Sequence, residues 1–108
     1  MARQAIALKN DDLAARSSLA SYLAKSGSPD LAITEAAVID AKAGTSQVAY
    51  NLALANEVAG RREQALDLLE LALQKGHSRK EIQNDPYLVN LRADARYHRR
   101  LSRPPENR

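Results

Sequence analysis

The fold is decided by residues 46–76, which read SQVAYNLALANEVAGRREQALDLLELALQKG. Alanine and leucine, two of the strongest helix formers, dominate this stretch. Gly60 and Gly76 interrupt it, and glycine often follows the last residue of a helix because it adopts the left-handed conformation without strain. The stretch therefore predicts a hairpin of two helices over 46–59 and 62–75.

Glycines and residues typical of helix starts also separate the helical segments on both sides of this hairpin. All four glycines, at positions 27, 44, 60 and 76, follow a helical pattern, and residues that favour helix starts come after them. These starts are Ser28 before Pro29, Thr45 with Ser46, Ser78 three positions before Glu81, and Asp85 before Pro86. Further helices are predicted over 2–9, 12–26, 29–43, 79–84, 86–92 and 94–102. We therefore expect an all-α fold, followed by a disordered tail over 103–108.

Composition narrows the class of protein. The chain has 108 residues, which suits one small domain, and it contains 20 Ala and 15 Leu but no Phe or Trp. Without cysteine there is no disulfide framework and no thiolate metal site. No apolar run approaches the length of a membrane-spanning helix, and no signal peptide pattern is present, so a cytoplasmic location is expected.

The sequence contains an internal repeat. The shift along the chain that places Leu19 on Leu52 also aligns three other pairs of identical residues. The pairs that coincide are Leu19 with Leu52, Ala20 with Ala53, Gly27 with Gly60, and Ala32 with Ala65. A small residue in each helix of a pair allows the two helices to cross closely, and the glycine turns the chain between them. Each pair leaves an apolar face that a neighbouring pair covers.

This pattern resembles the tetratricopeptide repeat (TPR) family, whose unit is a pair of helices of about 34 residues. The resemblance implies an α-solenoid of two TPR-like helix hairpins with a C-terminal helical cap, and a protein–protein interaction or scaffold function. The domain would cover 1–102, with a remnant helix at 2–10, repeats at 13–45 and 46–78, and capping helices at 79–102. The first copy departs from the family at Ala36, where a larger residue is usual, and at Ile39, where alanine is usual.

The segment after the second repeat resembles the tail that often follows the last repeat in bacterial TPR proteins. The matching residues are Asp85, Pro86, Leu88, Leu91, Arg92, Asp94, Arg96 and Tyr97. In such proteins the region commonly closes an array attached to a signalling enzyme. An alternative function is therefore the regulatory tail of a bacterial Ser/Thr kinase, a nucleotide cyclase or a transcription regulator.

The resemblance also implies a partner-binding groove on the first helix of each pair, for a peptide or helix of another protein. The implied groove residues are Ser17, Ser21, Lys25, Gln47, Tyr50, Asn51, Leu54 and Glu57. Tyr50 and Leu54 lie one helical turn apart and could form an apolar strip, although Tyr50 could equally pack in the core. The short N-terminal helix lacks a partner, which makes self-association through that end a further possibility.

Charge is unevenly distributed along the chain. Residues 1–74 hold seven Lys and Arg against nine Asp and Glu, whereas residues 75–108 hold nine against four. A stripe of arginines recurs at helical spacing in the second segment, at Arg92, Arg96, Arg99, Arg100 and Arg103. The stripe could bind a polyanion such as nucleic acid or an anionic membrane, or it could be a solvated capping helix with structural pairs to Asp85 or Asp94.

No catalytic or metal-binding motif is present. There is no glycine-rich phosphate loop, and the two histidines, His77 and His98, lie on different predicted elements. We expect His77 to be a cap or surface residue, and Asp11, Asp12 and Asp85 to be N-caps. No cofactor, no metal, no small-molecule substrate and no enzyme activity are therefore expected.

Overall fold

A computed structural model describes residues 10–101, and every regular element in this range is helical, as predicted. The α-helices are α1 (Asn10–Lys25), α2 (Pro29–Ala36), α3 (Ser46–Val58), α4 (Arg62–Gln74), α5 (Arg79–Asn84), α6 (Val89–Arg92) and α7 (Ala95–Arg100). Short 3₁₀ helices cover Ala41–Ala43 and Pro86–Leu88. No helix of the described range has the length and apolarity that a membrane crossing requires. The helix expected at 2–9 and the disordered tail expected at 103–108 lie outside the described residues.

Two hairpins, α1–α2 and α3–α4, turn in the same way. Gly27 and Gly60 both adopt positive φ, at 98° and 85°, which favours glycine at each turn. The amide of Ser28 donates to the carbonyl of Leu23 at 2.8 Å, and at the equivalent place in the second hairpin the amide of Arg61 donates to the carbonyl of Asn56 at the same distance. These bonds satisfy carbonyls that the helix ends leave without an intrahelical partner.

Several predicted helix starts are confirmed by their capping bonds. Thr45 accepts a hydrogen bond from the amide of Val48, Ser78 from Glu81, and Asp85 from Tyr87. Ser28 stands at the N-cap of α2 with Pro29 in the first turn, as predicted, although its side chain makes no capping bond. One prediction is wrong: α1 already contains residues 11 and 12, so neither aspartate stands at its N-cap.

The second helix of the first hairpin is shorter than predicted. It ends at Ala36 rather than at residue 43, and the chain continues through a turn into the 3₁₀ helix. Val38 and Ile39 are β-branched, and the Asp40 carboxylate caps the amide of Lys42 at 3.0 Å, so the local sequence competes with a continuous helix. The helix stops where the first copy departs from the repeat pattern.

Gly44 does not serve as a left-handed helix end. Its φ is −96°, which any residue adopts. A Cβ atom on Gly44 would lie 2.8 Å from the Cβ of Val48, so glycine is required here for space. The predicted role of Gly44 is therefore wrong, although the requirement for glycine is real.

Helix α3 lies at the centre of the fold, and all of its residues from 48 to 56 are buried. One side of α3 packs against α1 and α2 in a cluster of small and aliphatic residues: Leu13, Ala20, Ala24, Ala32, Val48, Leu52 and Ala55. The other side packs against α4 and the C-terminal helices in a second cluster. The core therefore consists of two clusters of buried side chains, and α3 contributes to both.

The two repeats are not equivalent at their leucine position. Leu52 is 2% exposed, whereas Leu19 is 43% exposed. Leu52 is covered by the hairpin that precedes it, and no described helix precedes α1. Leu19 on α1 and Leu52 on α3 therefore lie in different environments, although the repeat aligns them.

Candidate functional site

The predicted groove residues lie on α1 and α3, and the structure buries most of them. The buried members are Ser17, Ser21, Tyr50, Asn51 and Leu54. Glu57 is half-buried and accepts two hydrogen bonds from the Arg62 guanidinium, each at 2.8 Å. Only Lys25 and Gln47 are exposed. The surface left open on α1 and α3 is thus smaller than the sequence predicts.

Tyr50 is held inside the fold by residues that follow α4. Its ring stacks on His77 with 4.3 Å between ring centroids and 18° between planes. Its hydroxyl donates a hydrogen bond to the Asp85 carboxylate. Burial, and then the hydrogen bond and charge of Asp85, raise the pKa of the Tyr50 hydroxyl above its usual value. Tyr50 therefore stays a neutral donor that anchors Asp85.

Leu54, one turn beyond Tyr50, is covered in the same way. It belongs to a cluster that includes large side chains from the C-terminal cap, which we define as residues 77–101. The cap contributes Ile82, Leu88, Leu91, Tyr97 and Leu101, all of them buried. The apolar strip of Tyr50 and Leu54 is therefore an internal contact, and its predicted role as an accessible surface is wrong for this fold.

The cap is part of the hydrophobic core. Its five buried side chains pack in one cluster with Tyr50 and Leu54. A cap that opened to admit a partner would therefore return apolar surface on both sides of this contact to water.

A network of hydrogen-bonded polar side chains joins the two hairpins. The Gln47 amide donates to the Asn51 carbonyl oxygen at 3.0 Å, and the Asn51 amide donates to the Ser17 hydroxyl at 3.1 Å. The Ser17 hydroxyl in turn donates to the backbone carbonyl of Ala14 at 3.1 Å. Three of the predicted groove residues are therefore brought together, in a network that fixes α1 against α3.

Two exposed aromatic side chains accompany Lys25. The Lys25 ammonium lies 5.0 Å from the centre of the Tyr87 ring, which is the distance of a cation–π contact. Tyr22 lies one turn before Lys25 on α1 and is 66% exposed. Neither tyrosine is among the groove residues predicted from the sequence. Tyr87 occupies a variable position of the tail pattern, and only exposed aromatic character could have pointed to it.

Most of the described arginines of the predicted stripe form hydrogen bonds or ion pairs within the protein. Arg92 donates to the backbone carbonyls of Ile82 and Asp85, each at 2.7 Å, and so holds the end of α5. The structural pairing of Arg96 with Asp94 is confirmed at 2.9 Å. Arg99 is exposed, and Arg103 lies outside the described residues.

Ion pairs tie α7 to the acidic face of α4. Arg96 lies 2.6 Å from Glu63, and Arg100 lies 2.5 Å from Asp67 and 2.7 Å from Glu70. Three arginines of the stripe therefore bind acceptors within the protein: Arg92, Arg96 and Arg100. Among the described residues of the stripe, Arg99 is the one to which we assign no contact within the fold.

Asp94 connects this network to α4. Its carboxylate caps the Arg96 amide at 2.8 Å and also accepts from Arg62 at 2.8 Å. Hydrogen bonds from the side chain and backbone of Arg96, and then from Arg62, lower the pKa of Asp94 below its usual range. Asp94 is therefore a charged structural residue that joins α7 to the α3–α4 hairpin.

Each histidine contacts the ring of a tyrosine. The His77 side chain is buried against Tyr50, so a surface role is wrong, but the His77 amide caps the end of α4 by donating to the carbonyl of Ala72 at 2.9 Å. Its Nε2 atom lies 2.8 Å from a Glu81 carboxylate oxygen. His98 meets the Tyr97 ring edge-on at 5.5 Å. No group of three or more metal-ligating side chains occurs among residues whose positions are described.

Comparison with family models, with curated proteins and with solved structures finds no match to this sequence.

Proposed function

We propose that this chain is a non-catalytic protein-interaction module, built as an α-solenoid of two TPR-like hairpins closed by the C-terminal cap. The repetition of the two hairpins carries the proposal. Gly27 and Gly60 make the same turn, and the alanines at 20, 53, 32 and 65 are all completely buried. Close helix crossing at equivalent positions is how repeat proteins stack their units.

The partner surface of this proposal is the accessible remainder of the groove. Lys25 and Tyr87 form one end of it, and Gln47 marks the other. Lys25 lies two helical turns beyond Ser17, or about 12 Å along the helix, and Ser17 is joined to Gln47 through Asn51. A span of about 12 Å accommodates roughly four residues of extended peptide or two turns of helix.

The side chains at the two ends of this surface indicate which kind of partner segment would fit it. Lys25 offers a cation, Tyr87 an aromatic face and Gln47 an amide, which together suit a short segment with an acidic and an apolar side chain. The buried area falls in the class of weak interfaces, below about 1,200 Å². Attachment to a signalling enzyme or a transcription regulator would supply such a partner within one assembly, and that alternative stays a prediction.

Site-specific photo-crosslinking in the full chain tests this function. A photoreactive amino acid would replace Lys25 or Tyr87, with Gln64 as the matched control because it is exposed on α4. We expect one protein to be captured from positions 25 and 87 and not from position 64. Capture from all three positions alike, or from position 64 alone, would contradict the assignment.

A further inference from the structure

The free side of α1 carries an uncharged stripe that continues the helical spacing of a packed interface. Ala15, Leu19, Tyr22 and Ser26 are exposed and follow one another at intervals of four, three and four positions. This interval places all four on one face of the helix and is the spacing of a helix–helix seam. None of the four bears a charge, in a chain that is 27% charged.

The same positions are an interface elsewhere in the molecule. At the offset that aligns the two repeats, Ala15, Leu19 and Tyr22 correspond to Val48, Leu52 and Ala55 of α3. All three α3 residues are buried in the cluster that α1 and α2 form with α3. The stripe on α1 is therefore the copy of a face that this fold already uses to bind a helix hairpin.

One difference decides what can bind there. Ala55 is small, whereas its counterpart Tyr22 is large and 66% exposed. A further hairpin packed as closely as α2 packs on α3 would collide with the Tyr22 ring. An occupant must instead present a small residue opposite Tyr22.

A second copy of α1, running antiparallel, meets this requirement. Its twofold axis would pass between positions 18 and 19, so that Tyr22 of each copy lies over Ala15 of the other and the two Leu19 side chains meet near the axis. Large residues then face small ones, which is how packed helices interdigitate. The nearest cation, Arg16, is already paired with Glu35 at 2.9 Å, so like charges do not oppose the approach.

We infer that this chain self-associates as a twofold dimer through the Ala15–Leu19–Tyr22 face of α1. The interface is isologous, because each copy contributes the same residues. It uses the end of the hairpin stack rather than the surface proposed for partner binding, so either assignment can fail without the other. A single helix pair buries little area, so the dimer belongs to the weak class of interfaces.

Sedimentation velocity on the full chain measures this association between about 10 μM and about 1 mM, a range suited to weak interfaces. We expect a concentration-dependent dimer. Leu19→Glu places two carboxylates at the axis and should raise Kd at least about tenfold. Leu31→Glu is the matched control, because Leu31 is 58% exposed on α2 and is not part of the stripe; it should leave Kd unchanged.

A residue exchange tests the antiparallel register. Ala15→Tyr alone and Tyr22→Ala alone should each weaken the dimer, whereas the double variant restores one large and one small residue per contact and should recover most of the association. Circular dichroism would confirm that each exposed-site variant remains helical. A failure of the double variant to recover would overturn the register.

Two further outcomes would overturn the inference itself. One is a chain that stays monomeric throughout the concentration range. The other is a dimer that tolerates Leu19→Glu as well as it tolerates Leu31→Glu. If Ile6→Asp converted a monomeric wild type into a dimer that depends on Leu19, the occupant would be the chain's own N-terminal segment, and the second-copy assignment would be wrong.

Discussion

The side-chain amide of Asn51 donates a hydrogen bond to the hydroxyl of Ser17 at 3.1 Å, and both residues are buried. One residue belongs to each hairpin, so this bond ties the first repeat to the second. A buried polar pair of this kind specifies which helix faces are in contact, because any other arrangement leaves its members without partners.

Removing both members of this pair should cost less than the sum of the two single removals. Asn51→Leu leaves the Ser17 hydroxyl without its donor and should cost about 1–3 kcal/mol of unfolding free energy. In the double variant with Ser17→Ala the losses should be less than additive, with a coupling of about 0.5–1.5 kcal/mol. Urea denaturation measures these values. Ser18→Ala, an exposed neighbour, is the control and should change stability by less than about 0.5 kcal/mol.

Stability should fall in alkaline solution because of Tyr50. An ordinary tyrosine has a pKa near 10.0, and burial with the Asp85 hydrogen bond raises the pKa of Tyr50 above that value. The folded chain therefore keeps a proton that the unfolded chain loses, and the stabilisation is present below the unfolded pKa and is lost as the pH rises through and beyond it. We expect the unfolding free energy to decline above about pH 10. Tyr50→Phe should flatten this decline, and an unchanged slope would contradict the raised pKa of Tyr50.

Two glycines should respond differently to the same substitution. Gly60→Ala introduces a side chain at positive φ and should cost about 1 kcal/mol through backbone strain. Gly44→Ala instead creates a clash with Val48. Val48→Gly removes the clashing Cβ and should therefore offset the effect of Gly44→Ala, so that thermal denaturation of the double variant shows less than additive loss. The same Val48→Gly change should not rescue Gly60→Ala.

The arginines of the cap should separate into structural and dispensable members. Arg92→Met removes the donor to two backbone carbonyls and should cost about 2 kcal/mol or more. Arg99→Met removes an exposed cation and should change stability by less than about 0.5 kcal/mol. If polyanion binding were the function, heparin affinity would depend on Arg99. Equal retention of wild type and Arg99→Met on heparin is the expected result.

Much of the fold follows from local sequence. Gly60, which closes the helical pattern that begins at Ser46, predicts the end of α3 to within one position, and Ser78 with Glu81 predicts the start of α5. The end of α2 could not be predicted from local sequence in the same way. Asp40 and the β-branched residues before it favour a turn, and the hydrophobic periodicity alone does not indicate that turn.

The candidate site was harder to predict, because its accessibility depends on contacts between distant segments. Leu88, Leu91 and Tyr97 require an apolar surface to pack against, but nothing in their spacing identifies Tyr50 and Leu54 as that surface. Leu19 shows the same dependence. The repeat aligns it with the buried Leu52, but Leu19 is exposed because no described helix covers it.

The central claim is that residues 77–101 are an integral part of the fold and close the α3 side of the predicted groove. Native-state hydrogen exchange tests it most directly, by comparing the amides of Asp94 and Leu101 in the cap with those of Ala59 and Arg61 at the end of α3, all four of which are hydrogen-bonded to backbone carbonyls. We predict that the cap opens only with the rest of the fold, so that the slowest-exchanging cap and α3 amides share one free energy of opening and one denaturant dependence. Cap amides that exchange through a separate opening of lower free energy, with α3 still protected, would contradict the claim.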